Sequence, residues 1–375
     1  GNPQITFFKV VYRRHTNFAM ESIEQSFTGS VGFGRKCSAT VDRNGDLLHK
    51  MYLEVDYTDS DDTNSGLKGN GNFGHSLLRE VEIEIGGQCI DRHYGEWLEL
   101  WAQLASSEQS LYKQRLLTRG SLRNTKNGND NERKMYIPLQ FWFNRNPGLA
   151  LPLIALQYHE VKLNVFLNDQ ASSGGGTVSN LNMCLYCDFI FLDTDERRRF
   201  AQVSHEYLIE QLQYNNCIAV GGSETSSNVE LRLNHPCKEL VWVVQDDDAT
   251  GVESFHFGAG KGDADNVMTA KLQLNGHDRF REREGTYFRC VQPYQHHTGG
   301  HHQDGSGNGY MYVYSFGLEP EEHQPSGTCN FSRIDNAVLQ LQHLGGGQGK
   351  FVKVYATNYN VLRVMSGMGG LAYSN

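Results

Sequence analysis

With 375 residues, the chain is too long for one ordinary hydrophobic core and fits two domains of roughly 150–200 residues each. Its net charge of −9 provides no overall basic field, which argues against direct wrapping of nucleic acid. The 18 Tyr and 19 Phe favour β-strands, and 40 Gly against 8 Pro indicate many tight turns without a collagen-like period.

Alternation of apolar and polar residues dominates the first half and predicts β-strands. Glycine- and Asn/Asp-rich turns separate the strands, for example at Asn44-Gly45-Asp46. This spacing is typical of antiparallel sandwiches or barrels and not of parallel α/β sheets. The strands predicted here cover residues 5–11, 37–41, 47–55, 81–85, 135–143, 161–167 and 184–192.

A stripe of apolar residues within the first half predicts a helix over residues 95–117. The residues of the stripe lie mostly three or four positions apart, as one face of a helix requires. They are Trp97, Leu98, Trp101, Leu104 and Leu111.

A second helix is predicted near the middle of the chain, from Thr194 to about His205. Asp193 can cap it, and Glu196 follows three residues later in the pattern of a capping box. The basic run Arg197-Arg198-Arg199 is either a solvated face of this helix or a contact with an acidic neighbour.

The second half repeats the first. Its predicted strands cover residues 208–213, 229–233, 240–244, 271–274, 310–316, 338–341 and 351–364. Each half carries an alternating strand, a tight turn, an Asp-Arg pair, a glycine and an aromatic residue in the same order: 82–87, Asp91-Arg92, Gly95 and Trp97, then 271–276, Asp278-Arg279, Gly285 and Tyr287. Residues 188–192 likewise resemble 358–362, and the two offsets are about 189 and 170 residues. Two copies of one eight-stranded unit, each a jelly roll, are therefore predicted.

No pattern in the sequence indicates catalysis. Gly69-Asn70-Gly71-Asn72-Phe73-Gly74 matches the GxGxxG string, but it lies in a polar loop and runs into a strand, whereas a phosphate cradle needs a strand before it and a helix after it. His205-Glu206 begins like HExxH, but the second histidine is missing. We therefore predict no catalytic residues, no bound cofactor and no enzyme.

Histidines and acidic residues form two clusters of metal-ligand type. His296, His297, His301 and His302 flank Gly299-Gly300, with Asp304 nearby, and suit zinc or copper only if the loop folds back. An exposed glycine-rich loop is the favoured interpretation. The acidic residues lack the spacing of a calcium loop and are predicted to lie in a solvated loop: Asp246-Asp247-Asp248, Asp263 and Asp265. We predict no metal ligands.

The eight cysteines are scattered, which favours free, buried thiols in a reducing compartment over a disulfide framework. Cys184 and Cys187 form the one close pair, but in a strand they point to opposite faces. No secretory signal is recognised, so the glycosylation sequon at Asn330 is interpreted as incidental.

Several long segments together resemble the major capsid proteins of large nucleocytoplasmic DNA viruses, of the phycodnavirus, iridovirus and giant-virus types. The resemblance covers both halves and nearly the whole chain. It is carried by GNPQITFFKVVYRRHTNFAME at residues 1–21, and by 44–47, 193–202, 234–236, 272–280, 292–298, 312–316, 320–335 and 358–375.

This resemblance implies an all-β protein of two tandem eight-stranded jelly rolls with a few short helices: residues 1–193, a helical linker at 194–206, and residues 207–375. It implies a homotrimeric, pseudo-hexagonal capsomer of an icosahedral double-stranded DNA virus shell. The expected partners are neighbouring capsomers and minor capsid proteins. Assembly is expected in the host cytoplasm over an internal membrane, without insertion of the chain, and the outer loops are candidates for contact with the host surface.

Within this interpretation, we expect the 95–117 helix and the 193–202 linker to set the geometry between the barrels. Candidates for the trimer contact or the capsomer base are residues 320–335 and, near the N-terminus, Phe7, Phe8, Tyr12, Arg13 and Arg14. The alternative function is a β-sandwich carbohydrate-binding, lectin-like module, assisted by metal at the histidines of 296–302. A cupin-like metalloenzyme is disfavoured, because its ligands would have to lie inside a barrel.

Overall fold

The structure is a computed structural model and describes residues 16–59, 72–119, 122–123, 132–174, 177–249, 254–259, 264–300, 309–344 and 347–374. These residues form four antiparallel sheets and a few short helices. None of the helices within these ranges is long and apolar enough to cross a membrane. The predicted all-β class with short helices is confirmed.

The first half contains two sheets. Sheet I has the order β1-β10-β3-β7-β6, with β8 paired to β3, and sheet II has the order β2-β9-β4-β5. The strands are β1 (Phe18–Gln25), β2 (Lys36–Thr40), β3 (Leu47–Asp59), β4 (Leu78–Ile85), β5 (Gln88–Tyr94), β6 (Leu122–Arg123), β7 (Glu132–Pro138), β8 (Leu151–Pro152), β9 (Val161–Leu167) and β10 (Val178–Leu192).

The second half also contains two sheets. Sheet III has the order β11-β20-β13-β17, with β18 paired to β13 and β21 to β20, and sheet IV has the order β12-β19-β14-β15, with β16 paired to β14. The strands are β11 (His205–Val220), β12 (Ser226–Glu230), β13 (Pro236–Asp246), β14 (Val267–Leu274), β15 (His277–Asp278), β16 (Arg283–Glu284), β17 (Tyr312–Ser315), β18 (Cys329–Asn330), β19 (Ala337–His343), β20 (Lys350–Met365) and β21 (Met368–Leu371).

The two halves have the same topology. If the short added strands β6, β8, β16, β18 and β21 are set aside, the described part of each half has eight strands. In each half the first, eighth, third and sixth strands form one sheet, and the second, seventh, fourth and fifth form the other. This is the strand order of a jelly roll, and it occurs twice. The duplication predicted from the sequence is confirmed.

Each pair of sheets encloses its own core. Alternate residues of β3, such as Met51 and Leu53, point into the core between sheets I and II, and alternate residues of β13, such as Trp242, point into the core between sheets III and IV. The remaining residues of β13, such as Val241 and Val243, are also buried, in a separate cluster. Sheet III is therefore covered on both faces.

Within the described residues, six short helices lie in the connections between strands. They are α1 (Phe73–Leu77), α2 (Gly95–Ala105), α3 (Glu108–Thr118), α4 (Trp142–Arg145), α5 (Thr194–Gln202) and α6 (Gln292–His296). A π-helical turn at Tyr287–Val291 precedes α6, and single 3-10 turns occur at Pro147–Leu149, Leu153–Ala155 and Phe331–Arg333.

The prediction of one helix over residues 95–117 is wrong, because the segment forms two helices. Ser106 is extended, with φ −115° and ψ 137°, and it ends α2. The side chain of Ser107 then accepts a hydrogen bond from the amide of Ser110 and caps α3. Serine competes for backbone hydrogen bonds in this way, so it favours a helix start over a helix interior.

The predicted linker helix is present as α5, and Asp193 caps it by accepting a hydrogen bond from the amide of Thr194 at 2.8 Å. It ends at Gln202, three residues earlier than predicted, because β11 already begins at His205. Arg197 pairs with the buried Asp46 at 2.9 Å, so for this arginine the acidic neighbour is the correct alternative.

One further segment differs from prediction. The strand predicted at 135–143 ends at Pro138, and α4 follows; a proline has no amide hydrogen with which to continue the ladder. The strand predicted at 5–11 lies outside the described residues. The turn at Asn275-Gly276 is confirmed, with φ values of +51° and +77°.

Candidate functional site at the junction of the two jelly rolls

A helix of the first half covers a sheet of the second half. α2 belongs to the connection between β5 and β7, and one of its faces is fully buried. This face packs on the outer side of sheet III, in a cluster that both halves build together. Its main members are Trp97, Leu100, Trp101 and Leu104 from α2, and Val241, Val243, Val313 and Tyr355 from sheet III.

Aromatic rings fill the centre of this junction. The ring centroids of Trp97 and Tyr355 are 5.6 Å apart, and Tyr355 stacks on Tyr214 at 5.0 Å. Tyr94, the last residue of β5, lies 5.0 Å from Tyr214. Buried aromatic pairs contribute about 0.5–1.5 kcal/mol beyond their buried area. A contact this apolar resembles a protein core, and it holds the halves in one orientation, whereas small polar interfaces permit relative motion.

Polar contacts fix the N-terminal end of α2. Glu96 accepts a hydrogen bond from Lys353 at 2.5 Å and one from the hydroxyl of Tyr355 at 3.0 Å. The carboxylate of Asp91 accepts a hydrogen bond from the backbone amide of Leu212 at 3.0 Å. Each of these bonds joins a residue of the first half to a residue of sheet III. They therefore set the position of α2 along the sheet.

An ionic cluster borders the apolar contact. Arg145 of α4 pairs with Glu210 of β11 at 2.9 Å, and Glu210 also pairs with Lys238 at 3.0 Å. The guanidinium of Arg145 lies 4.1 Å from the ring centroid of Trp101. Burial alone would raise the pKa of Glu210, but His323, Arg145 and Lys238 together lower it to about 2. Glu210 is therefore ionised, and the cluster links both halves by charge.

His297 lies at the centre of a second ionic cluster. Its side chain is fully buried, with Nε2 2.9 Å from Glu239 and Nδ1 3.0 Å from Glu321. Burial would lower the pKa of His297, but the two carboxylates raise it to about 9. The imidazole is therefore protonated at neutral pH.

The interpretation of the histidine segment as an exposed loop is wrong for its described part. His296 is the last residue of α6, and His297 is enclosed by carboxylates on both sides of its ring. With both ring nitrogens engaged, His297 cannot ligate a metal for the lectin-like alternative. In the part of the chain that the structure describes, no group of His, Cys, Asp and Glu is arranged for a metal ion. His301, His302 and Asp304 lie outside that part.

The glycines after His297 hold the C-terminal end of α2. The amide of Gly299 donates to the carbonyl of Leu104 at 2.7 Å, and the amide of Gly300 donates to the carbonyl of Gln103 at 2.8 Å. A Cβ atom on Gly299 would lie 2.3 Å from the carbonyl oxygen of Gln103, so only glycine fits this approach. The second half thus satisfies the last carbonyls of a helix that belongs to the first half.

Inside the first half, a buried carboxylate orients α2. Glu99 accepts hydrogen bonds from Asn72 at 2.8 Å and Gln103 at 2.9 Å, and its carboxylate lies 2.7 Å from Nδ1 of His75. Burial would raise the pKa of Glu99, but His75 and Arg115 lower it to about 2. This cluster holds the helix with its tryptophans turned toward sheet III.

The expectation for the linker is met only in part. α5 is attached to the first half, since Phe200 packs with Leu47, Ala150 and Ile190 and Arg197 pairs with Asp46. The ring of Phe200 also stacks on His205, the first residue of β11, with centroids 5.2 Å apart. α5 therefore meets only the start of the second half, whereas α2 packs on sheet III. Within 320–335, Glu321 and His323 join the ionic clusters, which sequence reasoning did not identify.

The acidic residues near 246 are not simply solvated. Asp246 is the buried last residue of β13, and Asp265 forms two hydrogen bonds with Arg289, at 2.8 and 3.0 Å. The predicted solvated loop is wrong for both. Asp247 and Asp248 are exposed, and Asp263 lies outside the described residues.

The remaining motifs have structural positions. All eight cysteines are free; three are buried, three are half-buried and two are exposed. Cys187 lies in the first core and Cys184 on the outer face of β10, as the strand prediction requires. Asn330 caps a 3-10 turn by accepting a hydrogen bond from Ser332. The described end of the GxGxxG string enters the buried five-residue helix α1, not a strand directly.

Sequence reasoning missed the charged residues of the junction. Glu210, Lys238 and Glu239 are buried within strands, and Arg145 is the last residue of α4, two positions beyond the strand predicted at 135–143. A weak signal was present: Lys238-Glu239 directly precedes the apolar run 240–244, where charged side chains are rarely found without partners.

Comparison with known proteins agrees with this architecture. The family described as "Major capsid protein N-terminus" matches residues 6–193, and the family described as "Large eukaryotic DNA virus major capsid protein" matches residues 196–370. The major capsid protein of Pyramimonas orientalis virus is 51% identical, with 100% of this chain and 95% of that protein covered. That of Paramecium bursaria Chlorella virus 1 is 43% identical, with 100% and 96% covered.

A solved structure extends the similarity to three dimensions. A chain from a quasi-atomic model of the PBCV-1 virus capsid superimposes with a TM-score of 0.80 at 40% identity, covering 99% of this chain and 100% of that one. Family, identity and fold therefore agree with the resemblance noted from the sequence. The chain belongs to the major capsid protein family of large eukaryotic DNA viruses.

Proposed function

We propose that three copies of this chain form a pseudo-hexagonal capsomer, and that such capsomers tile the icosahedral shell of a large double-stranded DNA virus. The observation that carries the proposal is the duplicated jelly roll, held side by side by the junction. Three chains then present six similar barrels. A threefold oligomer can thereby imitate sixfold packing and fill a flat facet.

The rigidity of the junction supports this role. A closed ring forms only if successive barrels are related by a fixed rotation. A flexible connection between the two barrels of one chain would make that rotation variable. Here α2 is buried in a core-like cluster, and ionic clusters border it. As a major capsid protein the chain is a structural protein and not an enzyme, so this geometry is its functional property.

The wider setting is part of the proposal. Neighbouring capsomers and minor capsid proteins are the proposed partners in the virion, above an internal membrane that the chain does not enter. Eight free cysteines agree with assembly in the reducing host cytoplasm. The net charge of −9 favours contacts with proteins over contacts with the genome. The long polar loops are the candidates for contact with the host surface.

The division of the chain follows the same logic. We assign residues 1–193 and 207–375 to the two barrel domains and residues 194–206 to the helical linker. Residues 320–335 stay our candidate for the trimer contact or the capsomer base. The other candidates for that contact, Phe7, Phe8, Tyr12, Arg13 and Arg14, lie outside the described residues.

Sedimentation velocity of the purified chain at micromolar concentration tests the proposal. One chain has a mass of 42.3 kDa, and we expect a species of three times that mass. Negative-stain images should show threefold particles with a pseudo-hexagonal outline. Obligate interfaces bury on the order of 2,000 Å² or more, so a stable monomer under these conditions would contradict the proposal.

A further inference from the structure

The two jelly rolls carry helices at equivalent places. α2 begins at Gly95, and the helical segment Tyr287–Val291 with α6 follows Gly285. A Cβ on Gly95 would lie 2.3 Å from the carbonyl of Leu78, the first residue of β4. A Cβ on Gly285 would lie 2.0 Å from the carbonyl of Val267, the first residue of β14. Since β4 and β14 are equivalent strands, both helices start at the same point of the fold.

Counting forward from the two glycines gives the matching residues. Three positions on, Leu98 and Phe288 both lie in the core of their own half. Six and nine positions on, Trp101 and Leu104 of α2 are buried against sheet III. Their counterparts in the second half are Val291 and Tyr294, which are 39% and 78% exposed.

Sheet I, the equivalent of sheet III in the first half, is also exposed on its outer face. Sheet III is covered by α2, whereas the outer face of sheet I, equivalent in strand order, is half-exposed. On that face Tyr52 stacks on Tyr186 with centroids 5.3 Å apart and meets Tyr136 edge-on at 6.1 Å. Beside these rings lies a groove of about 740 Å³. Sheet I and α3 form one side of it with Tyr52, Leu117 and Tyr136, and the border of the junction forms the other with Arg145 and Glu321. We call it the sheet I groove.

The charges of the two surfaces are complementary. Residues 279–289, which lead into α6, contain four arginines and two glutamates. The outward positions of β1, β3, β7 and β10 carry more acidic than basic side chains, and charges of opposite sign favour and orient such contacts. These side chains are Glu24, Glu54, Asp56, Glu132 and Asp188, with Lys50 and Lys134.

We propose that the surface formed by Val291, Tyr294 and the 72%-exposed Leu318 docks into the sheet I groove of a second copy of this chain. The contact repeats between chains what α2 and sheet III do within one chain. The contact is head-to-tail, because it joins two different surfaces of the chain. Around the ring of six barrels, the contact within a chain and the contact between chains would alternate. The inference rests on the proposed trimer and names the surfaces that form it.

The first test compares two tyrosines of nearly equal exposure. Tyr294 is 78% exposed and Tyr158 is 76% exposed, but Tyr158 lies in a different groove, beside Val203 and Met365. Tyr294→Glu places a carboxylate against the acidic face of sheet I. We expect it to weaken the trimer about thirtyfold or more in sedimentation experiments, as loss of a buried interface aromatic does. Tyr158→Glu should leave the trimer intact.

The second test addresses the groove. Leu117 lines it, Leu344 does not, and both are 38% exposed. Leu117→Glu should dissociate the trimer, and Leu344→Glu should not. Because all four side chains are at least one-third exposed, each variant should keep the far-UV circular dichroism and the melting temperature of the unmodified chain.

The outcomes separate this inference from the proposed function. If the unmodified chain is a monomer, the trimer fails, and this contact fails with it. If the unmodified chain is a trimer and Tyr294→Glu and Leu117→Glu remain as trimeric as their controls, the trimer stands and this contact is overturned. Equal dissociation by the variants and their controls would also overturn it. Dissociation by Tyr294→Glu and Leu117→Glu alone supports it.

Discussion

Sheets I and III have the same strand order, yet their outer faces are opposite in character. The outer face of sheet III presents Val241, Val243 and Val313 and is buried by a helix of the same chain. The outer face of sheet I presents tyrosines alternating with charged side chains and is only half-buried. A contact made once during folding can be wholly apolar, whereas a face that meets water before assembly has to stay amphipathic to remain soluble.

Because the two faces differ in this way, we expect one to determine the stability of the single chain and the other to determine its association. Substitutions in the contact between α2 and sheet III should change the free energy of unfolding of a single chain. Substitutions on the outer face of sheet I should change that free energy little and act on association instead. Substitutions at positions of the junction with different chemistry test this division.

Trp97 should have the largest effect. It is fully buried and packs against Trp101 and Tyr355. Trp97→Ala should lower the free energy of unfolding by about 3–5 kcal/mol, measured by urea titration, because it opens a cavity between the halves. Tyr52→Ala on sheet I removes the ring contacts with Tyr186 and Tyr136, which at roughly 0.2–1 kcal/mol each should cost less than Trp97→Ala. Equal losses from the two variants would refute the contrast between the faces.

The ionic cluster around His297 should make the free energy of unfolding depend on pH. The pKa of His297 is raised from 6.5 to about 9, so its stabilising contribution is complete below pH 6.5 and disappears as the pH rises through 9. A shift of this size corresponds to at most about 3 kcal/mol of unfolding free energy. The measurement is a series of urea titrations between pH 6.5 and 9.5.

Two histidine variants provide the controls for this pH dependence. His297→Gln should abolish the loss of stability above pH 6.5. His343 is also buried, but burial and the charge of Lys350 lower its pKa to about 4, so it titrates below this range. His343→Gln should therefore keep the alkaline loss. An unmodified chain whose stability is flat over this range would contradict the buried ion pairs of His297.

Much of the fold could be predicted from the sequence because its signals are local. Alternation marks strands within a few residues, and the repeat of 82–87 at 271–276 marks the duplicated unit. The end of α2 could not be predicted this way. Its apolar stripe continues to Leu111, so periodicity alone does not detect the extended Ser106 and the cap at Ser107.

The site could be predicted only in part, because its chemistry depends on residues distant in sequence. The tryptophans of α2 indicate a buried face but not the sheet that covers them. His297 looked like part of an exposed loop, since Gly299-Gly300 follow it and its partners Glu239 and Glu321 are far away in the chain. The same two glycines that suggested an exposed loop are required by close packing.

At Gly299, the contact between α2 and the second half can be tested with a single added methyl group. The Cα of Gly299 faces the end of α2, and a Cβ would lie 2.3 Å from the carbonyl of Gln103 and 2.5 Å from that of Ser106. Gly299→Ala should therefore push the second half away from α2 and cost about 1–3 kcal/mol in urea titrations.

Gly370 is the matched control, because a Cβ there would meet its nearest neighbour, the side chain of Gln88, at an ordinary 3.6 Å. Gly370→Ala should change the unfolding free energy by less than about 0.5 kcal/mol. If Gly299→Ala proves as mild as Gly370→Ala, the C-terminal end of α2 is not held by this segment. The rigidity of the junction would then depend on the aromatic contact and the ionic clusters alone.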